Sequence, residues 1–248
     1  MDDVQPARDD GSAPSFKAIR TISPWKYPDS DIFHHHVLPG ATLSPWLNDQ
    51  EFLDVYQKIK SNTLVDVYRC HELWTLARQA MKIEGDILEV GVWRGGTGAI
   101  LAKAVASKPQ MKVILADTFE GVVKVGDKDT LYKGGEHSDT SVAIVAALLD
   151  ALSIDNARIL KGVFPDAHKD EIPGKISMLH CDVDVYLSSK DIVAWCLPRL
   201  SVGSILVFDD YGFFGCEGVT KFCDEFRENK DFCFIHNLNG HAIFIKIA

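Results

Sequence analysis

No apolar run in this 248-residue chain approaches membrane-spanning length, so a helical membrane protein is not expected. A secretory leader is not expected either. The start, MDDVQPARDDGSAPS, is acidic where such a leader is basic and then apolar, which leaves the cytoplasm as the expected location. Clustered positive charge is scarce. Lys and Arg number 26 against 35 Asp and Glu, for a formal net charge of −9. That balance counts against a nucleic-acid partner but not against a small anionic substrate held by a few local cations. The cysteines, Cys70, Cys181, Cys196, Cys216, Cys223 and Cys233, contain no C-x-x-C pair, so neither a disulfide framework nor a cysteine zinc site is expected. Several lie in apolar surroundings, as in VAWCLPRL and DFCFIH, and read as reduced, buried thiols. No internal repeat is present.

What the chain does have is 46% hydrophobic content, enough to bury one large core. Residues 1–15 read as a disordered tail. Residues 16–63 read as an N-terminal arm or lid, irregular as far as residue 50 and rich in Pro, Trp and His, with Pro24, Trp25 and Trp46 available for a subunit contact or a lid. Within it, His34, His35 and His36 read as a polar loop, because consecutive side chains rarely point at one ion. Helical patterns follow in EFLDVYQKIK and, from Leu64, in LVDVYRCHELWTLARQAMK. Strand candidates at Ile87–Val90, Val113–Ala116, Arg158–Leu160, Ile176–Cys181 and Ser204–Phe208 alternate with helical patterns. Two more, Cys233–His236 and Ala242–Ile247, are separated only by a short turn at NLNG. Alternation predicts a doubly wound α/β domain over 64–248, and the turn predicts a C-terminal antiparallel hairpin.

The segment DILEVGVWRGGTG, from Asp86 to Gly98, runs from an apolar strand through an acid into a glycine-rich turn and then a helix. Open α/β sheets bind nucleotide-like ligands at such a place, the glycines allowing close backbone approach. Its glycines, Gly91, Gly95, Gly96 and Gly98, miss the dinucleotide spacing G-x-G-x-x-G. The acid-x-Gly pattern is similar instead to the first motif of class I S-adenosylmethionine (SAM) methyltransferases. Asp117, at the tip of the next strand, is placed to accept hydrogen bonds from ribose hydroxyls.

Two further strands end in paired acids, Asp182 with Asp184 in HCDVDVYLSS and Asp209 with Asp210 in VFDDYG. Adjacent strands would bring them together, and so many carboxylates in one small volume need a hard cation such as Mg²⁺, raised pKa values or water. Helix capping is the other reading, equally good for Asp184 but less so for a cluster.

In order, EVGVWRGGTG, ADTFEG, GEHSDTS, KGVFPD, HCDVDVYLSS and FDDYG resemble the macrocin O-methyltransferase-like enzymes, from about Leu64 to the C-terminus. The resemblance implies the class I SAM-methyltransferase fold, a mostly parallel, seven-stranded, Rossmann-like sheet. It also implies SAM and Mg²⁺ as cofactors, a deoxysugar hydroxyl as acceptor in natural-product biosynthesis, and a homo-oligomer. The implied metal ligands are Asp182, Asp209 and Asp210. In the related catechol O-methyltransferase the metal-binding acids lie at the same two strand ends. The lysine base of that enzyme has no counterpart here, Val185 and Tyr186 lying near its place. Asp182 is then the first choice for base and His137 the second, with Asp139 holding His137 or capping the helix near Ser141. For the cofactor, Glu89, Gly91 and Gly95 would surround the methionine end, Asp117 the ribose, and Gly162, Val163 and Phe164 the adenine. Trp93 and Arg94 lie in the turn, Arg94 meeting the SAM carboxylate or making a surface ion pair. Lys124, Lys128 and Lys133 would be solvated or would meet a substrate phosphate, a slight tilt toward a nucleotide-activated sugar such as a dTDP-deoxyhexose. A catechol or phenol methyltransferase is the nearest alternative. A nucleotide-binding oxidoreductase or a binding domain is a third, against which stands the lack of any use for carboxylate-bound Mg²⁺ in hydride transfer.

Overall fold

The computed structural model describes residues 43–168, 170–172 and 174–248. The tail at 1–15, the arm as far as residue 42, Pro24, Trp25 and the His34–His36 run lie outside them. After a short 3₁₀ turn at Pro45–Asn48, helix α1 (Gln50–Ile59) starts at Asp49. The Asp49 carboxylate accepts from the Phe52 N–H at 3.0 Å and from Trp74 Nε1 at 3.0 Å, so one side chain caps α1 and ties it to the next helix. That helix, α2 (Val67–Ala80), begins later than the periodicity from Leu64 suggests, because Asp66 caps it by accepting from the Arg69 N–H at 2.9 Å. Leu64 is left in the preceding loop, 66% exposed.

Alternation then holds through β1 (Asp86–Val90), α3 (Gly96–Ala104), β2 (Val113–Asp117), α4 (Val142–Ala151), β3 (Ala157–Lys161), β4 (Ile176–Cys181), α5 (Tyr186–Cys196), β5 (Leu200–Phe208) and α6 (Glu217–Phe226). The chain closes with the hairpin β6 (Phe232–His236) and β7 (Ala242–Lys246). The seven strands form one sheet in the order β3-β2-β1-β4-β5-β7-β6. Strands β1 to β5 pair in parallel, and β7 runs antiparallel to both β5 and β6. The fold expected from the sequence is the fold found.

Successive strand residues face opposite sides, and each face has its own core. Ile87, Val113, Leu115, Met178, Val207 and Ile243 pack with Phe52, Ile59, Leu73, Trp74, Ile100 and Val145 from α1 to α4. Leu88, Ile114, Leu179, Leu206, Phe208 and Phe244 pack with Tyr186, Ile192, Val219 and Phe222 from α5 and α6. Each such side chain contributes about 1.5–3 kcal/mol on burial. One compact unit spans Ser44–Ala248. Five cysteines are buried free thiols, while Cys233 is exposed on the edge strand β6. No helix among the described residues is long and apolar enough to cross a membrane.

Candidate active site

The carboxyl ends of β1, β2 and β4, with the loops that follow, border a cavity of about 350 Å³, a scale suited to a small ligand. Of the residues expected there, Gly91, Trp93, Asp117, His137, Gly162, Phe164, Asp182 and Asp210 line it, as does Asp184. Glu89, Arg94, Gly95, Val163 and Asp209 are not among its lining residues.

The glycine turn is built first of all for the protein's own packing. Gly91 leaves β1 with φ +89°, and a Cβ there would stand 1.6 Å from the Asp182 carbonyl oxygen, so the glycine lets the tips of β1 and β4 close on one another. A Cβ at Gly98 would stand 2.7 Å from Glu89 Oε2. Glu89 is fully buried, and its Oε1 accepts from His180 Nδ1 at 2.9 Å, a contact set by the β1–β4 register that places the two side by side. Asp117 also shapes the turn. Its Oδ2 accepts from the N–H groups of Val92 at 2.7 Å and Trp93 at 2.9 Å, and its Oδ1 from Phe119 N–H at 2.6 Å. Arg94 makes the surface ion pair, 2.7 Å from Asp139, and Trp93 Nε1 donates to the same carboxylate at 2.8 Å. Asp139 therefore holds neither His137 nor the cap of α4; Ser141 caps α4, its Oγ accepting from Ile144 N–H at 3.2 Å.

Asp182, Asp184 and Asp210 share one wall of the cavity. Neither doublet caps a helix. Val185 holds the cap position of α5, where the Tyr186 N–H goes to Asp129 at 2.9 Å, and Cys216 holds that of α6. Asp184 and Asp210 adopt φ values of +63° and +60°, a left-handed backbone that concentrates at functional sites. The Tyr132 hydroxyl donates to Asp184 at 2.8 Å, His137 Nε2 lies 3.5 Å from that hydroxyl, and Cys216 Sγ lies 3.7 Å from Asp184. Burial, and then the charges of Asp209 and Asp210, push Asp182 well above the usual carboxylate range. Burial with Asp209 and Asp184 nearby pushes Asp210 up to about 8. Asp184 is raised by burial, with the Tyr132 hydrogen bond opposing. Three oxygen donors with too little positive charge among them are a fitting set for a hard divalent cation.

Asp209 has a different setting. It is 2% exposed, and its Oδ1 accepts from Arg69 Nη1 and from the Asp210 N–H, the latter at 2.9 Å. Arg69 also reaches Asp210 at 3.2 Å and Asp66 at 2.8 Å, and its guanidinium lies 4.7 Å from the centre of the Phe213 ring. Burial pushes Asp209 up, yet His241, Arg69 and His180 facing it hold it below its ordinary value. The expected trio of Asp182, Asp209 and Asp210 is thus divided: two face the cavity, while the third is turned inward and paired.

Arg69, Tyr132 and Cys216 are site residues that the sequence reading missed. Arg69 sits in a segment whose signal is only a helical period, Tyr132 in a loop whose signal is its lysines, and Cys216 carries no more than the signal of a buried thiol. The lysines lie off the cavity. Lys124 pairs with Asp191 at 2.6 Å and Asp166 at 2.8 Å, and Lys128 with Glu225 at 3.4 Å. Lys133 donates to the Thr130 carbonyl at 3.5 Å.

Solved structures that superpose on this chain include O-methyltransferases. NovP superposes with a TM-score of 0.67 at 22% identity, covering 75% of this chain and 83% of its own. The calicheamicin methyltransferase CalS11 gives 0.61 at 17%, covering 89% and 99%. The fold is that of the class I O-methyltransferases. Sequence narrows this further. The chain belongs to the macrocin-O-methyltransferase (TylF) family, which it matches over residues 59–245, and it is a SAM-dependent O-methyltransferase. It is 29% identical over 223 residues to mycinamicin III 3''-O-methyltransferase of Micromonospora griseorubida, covering 83% of this chain and 85% of that protein. It is 27% identical over 191 residues to demethyldecarbamoylnovobiocin O-methyltransferase of Streptomyces niveus, covering 69% and 70%.

Proposed function

We propose that the chain methylates a hydroxyl of a deoxysugar already attached to an aglycone, with a divalent cation, Mg²⁺ by preference, held by Asp182, Asp184 and Asp210. The observation that carries this reading is the wall of three underneutralised carboxylates at the strand tips. A relative of Streptomyces olivaceus, 30% identical over 149 residues and covering 54% of this chain and 56% of that protein, is named as a 4'-O-methyltransferase of a rhamnosyl-tetracenomycin. The paired lysines argue against a nucleotide-activated sugar, since none of them lines the cavity to meet a diphosphate.

A cation on these carboxylates would lower the pKa of a sugar hydroxyl and fix its oxygen. SAM supplies a methyl group that is already activated, so the protein's task is orientation. Asp182, on the cavity wall, would take the hydroxyl proton at a carboxylate oxygen as the new C–O bond forms and the methyl–sulfur bond of SAM breaks, with S-adenosylhomocysteine as the leaving group. Tyr132 holds Asp184 in place through its hydrogen bond, and His137 beside it closes that edge of the cavity. Gly162, Phe164 and Asp117 line the cavity, where the first two would flank the adenine end of SAM and Asp117 the ribose end. A homo-oligomer belongs to the same proposal, the exposed Leu47, Leu64 and Tyr68 offering apolar contact surface. Light scattering on a sizing column measures the assembly.

The test of function is methyl transfer from SAM to glycosylated macrolides, dTDP-deoxysugars and catechols, compared side by side. Turnover confined to glycosides supports the proposal. Preferred turnover of a dTDP-deoxysugar or of a catechol overturns the acceptor assigned here.

A further inference from the structure

The loop between β5 and α6 leaves the cavity wall at Asp210 and rejoins it at Cys216. Between them it carries two phenylalanines, Phe213 and Phe214, that also line the cavity. Both are open to water, Phe213 at 40% exposure and Phe214 at 61%. The loop that presents them is tied down on both sides. Towards the C-terminal hairpin, the Tyr211 N–H donates to the Gly240 carbonyl at 2.8 Å. Towards α6, the Gly212 N–H donates to Thr220 Oγ1 at 2.9 Å and the Gly215 N–H to Glu217 Oε1 at 3.0 Å. A bond from the Phe213 N–H to the Asp210 carbonyl, at 3.0 Å, closes the turn itself.

The Phe213 ring is fixed as well. It occupies space that a Cβ at Gly240 would need, and the Arg69 guanidinium lies 4.7 Å from its centre. Phe214 is the freer ring of the two. Leu131, 56% exposed, packs on the same loop, its Cδ2 2.7 Å from where a Cβ at Gly215 would stand. Its neighbour Tyr132 is the residue that donates to Asp184. Three large apolar side chains therefore stand in water beside the acid wall. Single exposed apolar residues are ordinary, but a group of them on a held loop at a cavity marks a binding surface.

Charge and position select the occupant. Arg69 is the only Lys or Arg among the described residues that line the cavity, and it already pairs with Asp66, Asp209 and Asp210. An anionic group would find no free cationic side chain there, and would meet Asp117, Asp182, Asp184 and Asp210. An uncharged apolar group instead gains by leaving water against Phe214 and Leu131. Aromatic side chains give a ring system broad, stiff contact area. With a sugar hydroxyl at the acids, the part of a glycoside that extends outward to these side chains is its aglycone.

We infer that Phe213, Phe214 and Leu131 form the docking surface for the acceptor's aglycone, and that this aglycone is an uncharged apolar ring system. The inference rests on the reading of the acceptor as a glycoside and adds what chooses among glycosides. The acids act on the hydroxyl, and the apolar surface sets KM according to what the sugar is attached to.

The test is steady-state methyl transfer by the full chain to methyl, phenyl and 2-naphthyl L-rhamnosides, which share one sugar and differ in the aglycone. For the wild type, kcat/KM is expected to rise at least about tenfold from the methyl to the naphthyl glycoside, chiefly through KM. In Phe214→Ser, which removes an exposed side chain and so costs the fold little, the naphthyl-to-methyl ratio should fall to near one. A wild-type ratio near one overturns the inference, as does the same high ratio in Phe214→Ser. Failure of the glycoside reading looks different: catechol is methylated and no rhamnoside is, by wild type and variant alike, and the aglycone falls with it. Should none of these acceptors turn over, binding of 2-naphthyl L-rhamnoside in the presence of S-adenosylhomocysteine decides, read by naphthyl fluorescence. Binding weakened at least about tenfold in Phe214→Ser supports the surface, and equal or absent binding overturns it.

Discussion

Two trios of carboxylates stand back to back around the ends of β1, β4 and β5, one member, Glu72, reaching in from α2, and they differ in what faces them. Asp182, Asp184 and Asp210 border a cavity, and their pKa values are raised because burial and mutual repulsion outweigh the nearby positive charge. Glu72, Glu89 and Asp209 are turned into the protein against Arg69, His180 and His241. For Glu72, the bonds from His241, Asn239 and Asn237 outweigh burial and hold its carboxyl below the usual range. Charge density alone therefore does not mark a catalytic centre. The same residue type serves structure where its partners are built in and chemistry where they are left for a ligand to supply.

The comparison is broken most severely at Arg69. Arg69→Met leaves Asp209 without its guanidinium and is expected to cost about 3–5 kcal/mol in urea denaturation, as for a buried ion pair stripped of one member. A loss below about 1 kcal/mol would mean that Asp209 is not held as described. On the cavity side, Asp210→Asn should lower methyl transfer by roughly 10²- to 10³-fold, the scale for removing one group that stabilises transition-state charge. Thermal stability should hold or rise, since the substitution relieves repulsion. Equal loss of stability and activity would place Asp210 with the structural trio.

Saturating Mg²⁺ should stabilise the wild type by up to about 2.7 kcal/mol at a hundred times its Kd, and Asp182→Asn should abolish that gain in thermal melts. The sign of the pH dependence follows from the raised carboxyls. With Asp210 pushed up to about 8, a cation displaces a proton, so Mg²⁺ binding should tighten as pH rises toward that value. Titration calorimetry at several pH values reads this, and pH-independent binding would place the ion elsewhere. The smallest effect belongs to Lys124→Gln. Its ion pairs lie near the surface, at 2.6 and 2.8 Å, so KM for the acceptor should change less than about twofold. A tenfold rise would restore the nucleotide-sugar reading.

Much of the fold was legible in the sequence because each strand is a short apolar run ended by an acid or a turn, and each helix repeats at its own period. The cavity acids Asp182 and Asp210 were legible for the same reason, as charges at strand tips. Which way neighbouring acids turn was not. Asp209 and Asp210 are adjacent in sequence, yet one faces Arg69 from below while the other opens to the cavity, a choice made by the left-handed backbone at Asp210. Glu89 precedes the glycine turn, but that its register partner on β4 is His180 depends on strand pairing that the local pattern does not show. Arg69 and Tyr132 reach the site from 140 and 52 positions away in the chain, distances over which local pattern carries no signal.

The most direct measurement is methyl transfer by the full chain to a glycosylated macrolide after brief chelation with EDTA, followed by return of Mg²⁺ alone. Activity lost on chelation and regained with Mg²⁺ is the predicted result, with Asp182→Asn and Asp210→Asn regaining none. Undiminished turnover in EDTA would contradict the assignment of a cation to the cavity carboxylates.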